Sequence, residues 1–158
     1  MASGSTPDSW TAAKTKQIDV AWATPPDTYK IEEEGGRAIF STTDYPFLKD
    51  YTYIVDVATP DTIAKKRDAI AAFFRALNKA ADFVAKDPEG AAKIYQPSTD
   101  LSEEMLARYF KSIKPKEFWN LGDIKGWDMT IKYAKLFKFI TKDMALKDVA
   151  DLSAVPKQ

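Results

Sequence analysis

Two adjacent prolines constrain this chain most. The run Lys16-Gln17-Ile18-Asp19-Val20-Ala21-Trp22-Ala23-Thr24 stops at Pro25 and Pro26, and a helical pattern begins at Asp27. Proline offers no backbone N–H, so neither residue extends a ladder and the following helix must start afresh. Residues 18–23 therefore read as a short strand ending in a polar, aromatic-flanked turn. Ligands of open α/β proteins sit outside the carboxyl ends of strands, which makes Trp22 and Thr24 the first place to look for a binding function.

The neighbouring segments extend this reading. Asp8 or Ser9 is expected to cap a short helix through about residue 15. Asp27 or Thr28 caps the helix behind the prolines, and Gly35-Gly36 stops it. Arg37-Ala38-Ile39-Phe40-Ser41 reads as a second strand, giving residues 18–41 the length of a strand-helix-strand unit. Tyr51-Thr52-Tyr53-Ile54-Val55-Asp56-Val57, dense in β-branched and aromatic residues, is the clearest strand signal.

From Pro60 the periodicity turns helical. Ile63, Ile70, Phe73, Phe74, Leu77, Ala80, Ala81 and Val84 share a face of one long helix to about residue 86. Asp87-Pro88-Glu89 breaks it and starts a second. Ser102 opens a third, with Met105, Leu106, Tyr109, Phe110 and Ile113 on its apolar side, and Pro115 ends it. A last helix is expected over 125–141, with Trp127, Ile131, Ala134, Leu136 and Phe139 inward, and the tail 142–158 is read as irregular. The expected fold class is α/β, a few-stranded sheet with a helix-rich C-terminal part.

Composition narrows the function. Lysine and arginine equal aspartate and glutamate at 23 each, so no net field draws the chain to nucleic acid or an anionic membrane. Histidine and cysteine are both absent, which removes catalytic triads, thiolate nucleophiles and imidazole or thiolate metal sites together. A binding protein with no catalytic residues, cofactor or metal is expected. No apolar run approaches the ~20 residues of a membrane span. The start, Met1-Ala2-Ser3-Gly4-Ser5-Thr6-Pro7, lacks the basic and apolar regions of a secretory signal.

Four segments together resemble the substrate-binding proteins of ABC importers, in the nitrate/sulfonate/taurine and thiamine-pyrimidine-like branch of the type II periplasmic binding proteins. They are Lys16-Gln17-Ile18-Asp19-Val20-Ala21, Glu32-Glu33-Glu34-Gly35-Gly36-Arg37, Tyr51-Thr52-Tyr53-Ile54-Val55, and residues 67–95 with Lys86-Asp87-Pro88-Glu89-Gly90-Ala91-Ala92. The last is the most specific. The resemblance implies a periplasmic receptor that hands a small ligand to an ABC permease. It also implies a partial fold, only the C-terminal half: residues 1–41 as the end of the second lobe, 42–58 as a hinge connection and returning strand, and 59–158 as the helical part of the first lobe. The pyrimidine-synthase relatives require a reactive histidine that is lacking here. Thr24 and Pro25 stand where sulfonate binders often carry an aromatic and an acidic residue, so the ligand stays open among sulfonate, nitrate, taurine and related small molecules.

Trp22 and Thr24 fall on the same side of the expected strand, where an indole and a hydroxyl flank a ligand's polar head. The plainer reading makes Trp22 core and lets Thr24 satisfy the turn. Asp44 and Tyr45 lie in the hinge connection and face a cleft on the ligand-binding reading, or form an ordinary turn on the other. Asp19 is read as structural, and the acidic runs Glu32-Glu33-Glu34 and Glu103-Glu104 as solvated helix faces. Trp119, Trp127, Phe137 and Phe139 are core residues or, where the other half of a receptor once packed, a homo-oligomeric surface. The competing function is therefore an oligomeric interaction module that binds no small ligand.

Overall fold

The structure, a computed structural model, describes residues 4–49, 51–119 and 122–155. Residues 1–3 of the N-terminal reading and 156–158 of the tail lie outside the described residues. The helices are α1 (Thr6–Lys14), α2 (Asp27–Glu33), α3 (Pro46–Lys49), α4 (Pro60–Lys86), α5 (Pro88–Tyr95), α6 (Glu103–Ser112), α7 (Pro115–Phe118), α8 (Trp127–Leu136) and α9 (Leu146–Val149), with 3-10 turns at Thr42–Asp44 and Gln96–Ser98. None is long and apolar enough to cross a membrane among the described residues.

The expected α/β class is corrected. Residues 18–23, 37–41 and 51–57 form no strand, and no sheet is present among the described residues. A strand exists only through a ladder with another strand, and β propensity measures fit to such a surface rather than a property of the segment alone. Each of these three runs lies outside regular structure, so its strand-forming composition finds no partner.

The helices follow their local signals closely. Asp87 caps α5, its carboxylate accepting the Gly90 N–H at 2.9 Å, with Pro88 in the first turn. Ser102 caps α6 by accepting the Met105 N–H at 3.2 Å. Gly35, at φ +89°, follows the last residues of α2 in the left-handed region that glycine tolerates. Four boundaries differ from expectation. Pro26, which makes no side-chain capping bond, stands at the cap of α2 in place of Asp27 or Thr28. Ser5 rather than Asp8 or Ser9 caps α1, and Asp8 completes a capping box by accepting the Ser5 N–H at 3.1 Å. Pro115 starts α7 instead of only ending α6. The helix expected over 125–141 stops at Leu136, and Lys138 takes φ +61° just beyond it.

The chain divides into two compact units. The first comprises the described part of Met1–Ile39 with Ala80–Phe118. Its core is Val84, Ala91, Ala92, Leu101, Leu106, Tyr109 and Phe110, built mainly where α5 packs on α6, with Tyr29, Met105, Ala107 and Ile113 against it. Burial raises the Tyr109 phenol above its ordinary pKa. Helix α2 is tied to α6 by the Arg108 guanidinium, 4.3 Å over the Tyr29 ring, and by a 3.2 Å bond between the Tyr29 and Ser112 hydroxyls.

The second unit comprises Phe40–Lys79 and Trp119–Gln158 in their described parts. Tyr51, Thr52, Lys125, Gly126 and Thr130 knit it together. The Thr52 N–H donates to the Lys125 carbonyl at 3.2 Å and the Lys125 N–H to Thr52 Oγ1 at 2.8 Å. The Trp127 indole donates to the Met144 carbonyl at 2.8 Å. Its buried apolar side chains are Ile131 and Ala154 among the described residues. Of the inward positions expected on the last helix, Ile131 alone is buried, while Leu136 and Phe139 are exposed.

Candidate functional site

The linker between α1 and α2 carries Trp22 and Thr24, and α1 holds it. Ser9 is fully buried on α1, and its hydroxyl accepts the Trp22 backbone N–H at 3.1 Å. That bond fixes the linker where Trp22 is 48% exposed. Thr24 is exposed two residues further on, directly before the two prolines. The plainer expectation for Trp22, a core side chain, is therefore not met.

The frame behind the linker is polar and tightly connected. Glu34, just past α2, accepts the Trp10 indole N–H and the Lys14 ammonium, each at 2.6 Å, on the same carboxylate oxygen. Gly36 lies where this arrangement is closest: an added Cβ would overlap Ile31 and stand 3.1 Å from the Trp10 ring. Lys14 also sits 5.7 Å from the centre of the Trp10 ring, a cation–π distance.

These bonds shift the carboxylates of the first unit in one direction. Hydrogen bonds from Lys14 and then Trp10 hold Glu34 below the usual carboxylate range. Lys30 does the same for Asp100, Lys111 for Glu89, Lys116 for Asp82 and Ser5 for Asp8. A carboxylate whose folded pKa is depressed stabilises the fold above its unfolded value of roughly 4, and that contribution is lost as pH falls through the lower folded value. The melting temperature of this unit is therefore expected to drop as pH falls from about 5 towards 2. Because the pairs are solvated, added salt should reduce the effect. Circular-dichroism melts across that range check it, and a pH-independent melting temperature would contradict it.

Asp44 and Tyr45 belong to the second unit. The Asp44 carboxylate accepts the Ser41 N–H at 2.8 Å in the capping box of the 3-10 turn. Tyr45 packs edge-on against Phe40 and Phe47, with ring centres 6.5 and 5.9 Å away, and stays partly open to solvent. The turn reading thus accounts for the Asp44 contacts.

Two open grooves of the second unit were not anticipated. One, of about 400 Å³, is lined by Asp128, Ile131, Lys132, Lys135 and Asp143. Within it, Lys135 is engaged with both Asp143 oxygens at 2.8 and 2.9 Å. The other, of about 330 Å³, is apolar and includes Tyr51, Tyr133, Phe137 and Phe139 in its lining. Neither includes Trp22, Thr24, Asp44 or Tyr45 in its lining. The i, i+4 spacing of lining residues, as in Asp128 with Lys132 on α8 and Tyr133 with Phe137 at its end, is a sequence signal for each groove.

The family model described as NMT1/THI5 like matches residues 4–91, a span that includes Trp22, Thr24, Asp44 and Tyr45. The short span of the match fits the expectation of a partial receptor. No curated protein and no solved structure matches the chain significantly. Because the matched span exceeds half of the chain, the protein belongs to the NMT1/THI5-like family, the family of nitrate, sulfonate and taurine substrate-binding proteins of ABC importers.

Proposed function

We propose that this protein binds a small anionic or zwitterionic solute, of the sulfonate, nitrate or taurine kind, as a partial receptor for ABC-type uptake in the periplasm. The observation that carries the reading is the family match over residues 4–91, and the exposure of Trp22 beside Thr24 within that span supports it. An indole face covers the apolar part of such a ligand and a threonine hydroxyl donates to its oxygens, a pairing of one flat apolar surface with a directed polar group. The contacts proposed for the ligand are Trp22 and Thr24. Asp44 already spends an oxygen on its cap, and a carboxylate repels an anion.

Thermal-shift measurements with taurine, an alkanesulfonate and nitrate test it. A ligand held at about 100 times its dissociation constant stabilises a two-state unit by about 2.7 kcal/mol, which a melt resolves. Trp22→Ala is expected to abolish the shift and, because the indole is exposed, to leave the unliganded melting temperature near that of the wild type. A shift retained in full by Trp22→Ala would remove Trp22 from the site. No shift with any solute would favour an interaction module, for which the exposed apolar side chains of the second unit are the supporting observation.

A further inference from the structure

Residues 53–57 leave all of their strand-forming capacity unused. Tyr53, Ile54, Val55 and Val57 are 74, 80, 52 and 88% exposed, and Asp56 is exposed as well. Residues 53–58 are free of helix, turn and bend, so the chain runs on in one direction. Their backbone groups make no hydrogen bond among the described residues. Both flanks are anchored: Thr52 exchanges bonds with Lys125, and the Thr59 carbonyl accepts the Ile63 N–H at 3.0 Å as α4 begins.

The chemistry of the segment specifies its partner. Five consecutive residues with free donors and acceptors, without proline or glycine, recognise another main chain in a strand conformation rather than a helix or a small ligand. Tyr53, Val55 and Val57 fall on one face of such a strand, and Ile54 and Asp56 on the other.

We infer that the partner is the same segment of a second copy, paired antiparallel with Val55 at the two-fold axis. In this register each Tyr53 stands opposite a Val57 and Val55 opposite its own copy, so every cross-strand pair on one face is apolar and two join an aromatic to a β-branched residue. On the other face each Asp56 stands opposite an Ile54, which keeps the two carboxylates from facing each other. A parallel, in-register pair would stack Asp56 on Asp56. One patch is thereby its own complement, and the contact closes as a dimer. Five residues a side is far below the roughly 20–30 of a standard interface, so the dimer is reversible and concentration-dependent.

Sedimentation equilibrium from low micromolar to several hundred micromolar tests the inference. The average mass of the wild type is expected to rise with concentration from one chain towards two, and amide exchange at Tyr53, Val55 and Val57, whose N–H groups face the partner strand in this register, to slow in parallel. Val55→Pro removes the backbone donor at the axis and should hold the chain at monomer mass throughout. The segment is exposed and unpaired in the single chain, so the variant's melting temperature at low concentration should match the wild type. A monomer at every concentration would overturn the inference, as would a dimer that survives Val55→Pro. Species larger than two copies, the sign of open-ended strand stacking, or association only on adding a foreign strand-forming peptide would overturn it too.

Discussion

Leu106→Ala is expected to destabilise the first unit by about 2–5 kcal/mol, the range for deleting a buried leucine side chain. Leu106 is 0% exposed on α6, in the cluster with Val84, Ala91, Ala92, Leu101, Tyr109 and Phe110. Two alanines and two aromatic rings in that cluster leave little freedom to collapse into the space vacated, so the loss of transfer energy adds to a cavity cost. In a unit of this size each kcal/mol lowers the melting temperature by about 4–8 °C. Ile94→Ala on α5 is the control: Ile94 is 71% exposed, and a change of no more than about 0.5 kcal/mol is expected. Chemical denaturation of the two variants compares them directly, and equal losses would contradict the placement of the core.

Gly126→Ala should weaken the second unit by a similar amount. Gly126 precedes α8 at φ +76°, where a residue with a Cβ costs about 1–2 kcal/mol. The added carbon would also overlap the Tyr51 ring, standing 3.0 Å from Cε2, which adds about 1–3 kcal/mol of overpacking. The Thr130 hydroxyl donates to the Gly126 carbonyl at 3.2 Å, so the Tyr51 hydroxyl is the donor of its 2.7 Å bond to Thr130. Displacing the Tyr51 ring therefore disturbs this chain of bonds as well. Gly122→Ala, with open space around its added carbon, is expected to be neutral by comparison. Urea unfolding of both variants measures the difference, and a Gly126→Ala protein as stable as Gly122→Ala would show that this approach of backbone to ring does not matter.

The helices were legible in the sequence because their signals are local. Pro60, Asp87-Pro88 and Ser102 each announce a start within one turn, and α4, α5 and α6 begin there. The cap of α1 is also written in the sequence, as Ser5 three residues before Asp8, but Asp8 and Ser9 are capping residue types as well and compete with it as local signals. Strand signals fail for the opposite reason, because they are not local. Residues 51–57 have the composition of a strand, yet a ladder depends on a second segment elsewhere, which composition cannot supply. The early end of α8 has no punctuation in Leu136-Phe137-Lys138, where no glycine or proline stands.

The candidate site was legible in part. The prolines marked the linker, and Trp22 and Thr24 are exposed on it. What holds that linker was not legible: Ser9 bonds to Trp22 from thirteen residues away, a pairing no periodicity reveals. Asp44 had a local signal, Ser41 three residues earlier, which the structure shows to be a capping box. The two grooves of the second unit draw on α3, α8 and the residues beyond α8, so their linings assemble only in three dimensions.

Isothermal titration of the wild-type chain with taurine, an alkanesulfonate and nitrate tests the solute-binding proposal most directly. Saturable binding of at least one of these solutes, lost in Trp22→Ala, is the expected result. Heats indistinguishable from dilution for all three, on a chain shown to be folded by its melt, would contradict it.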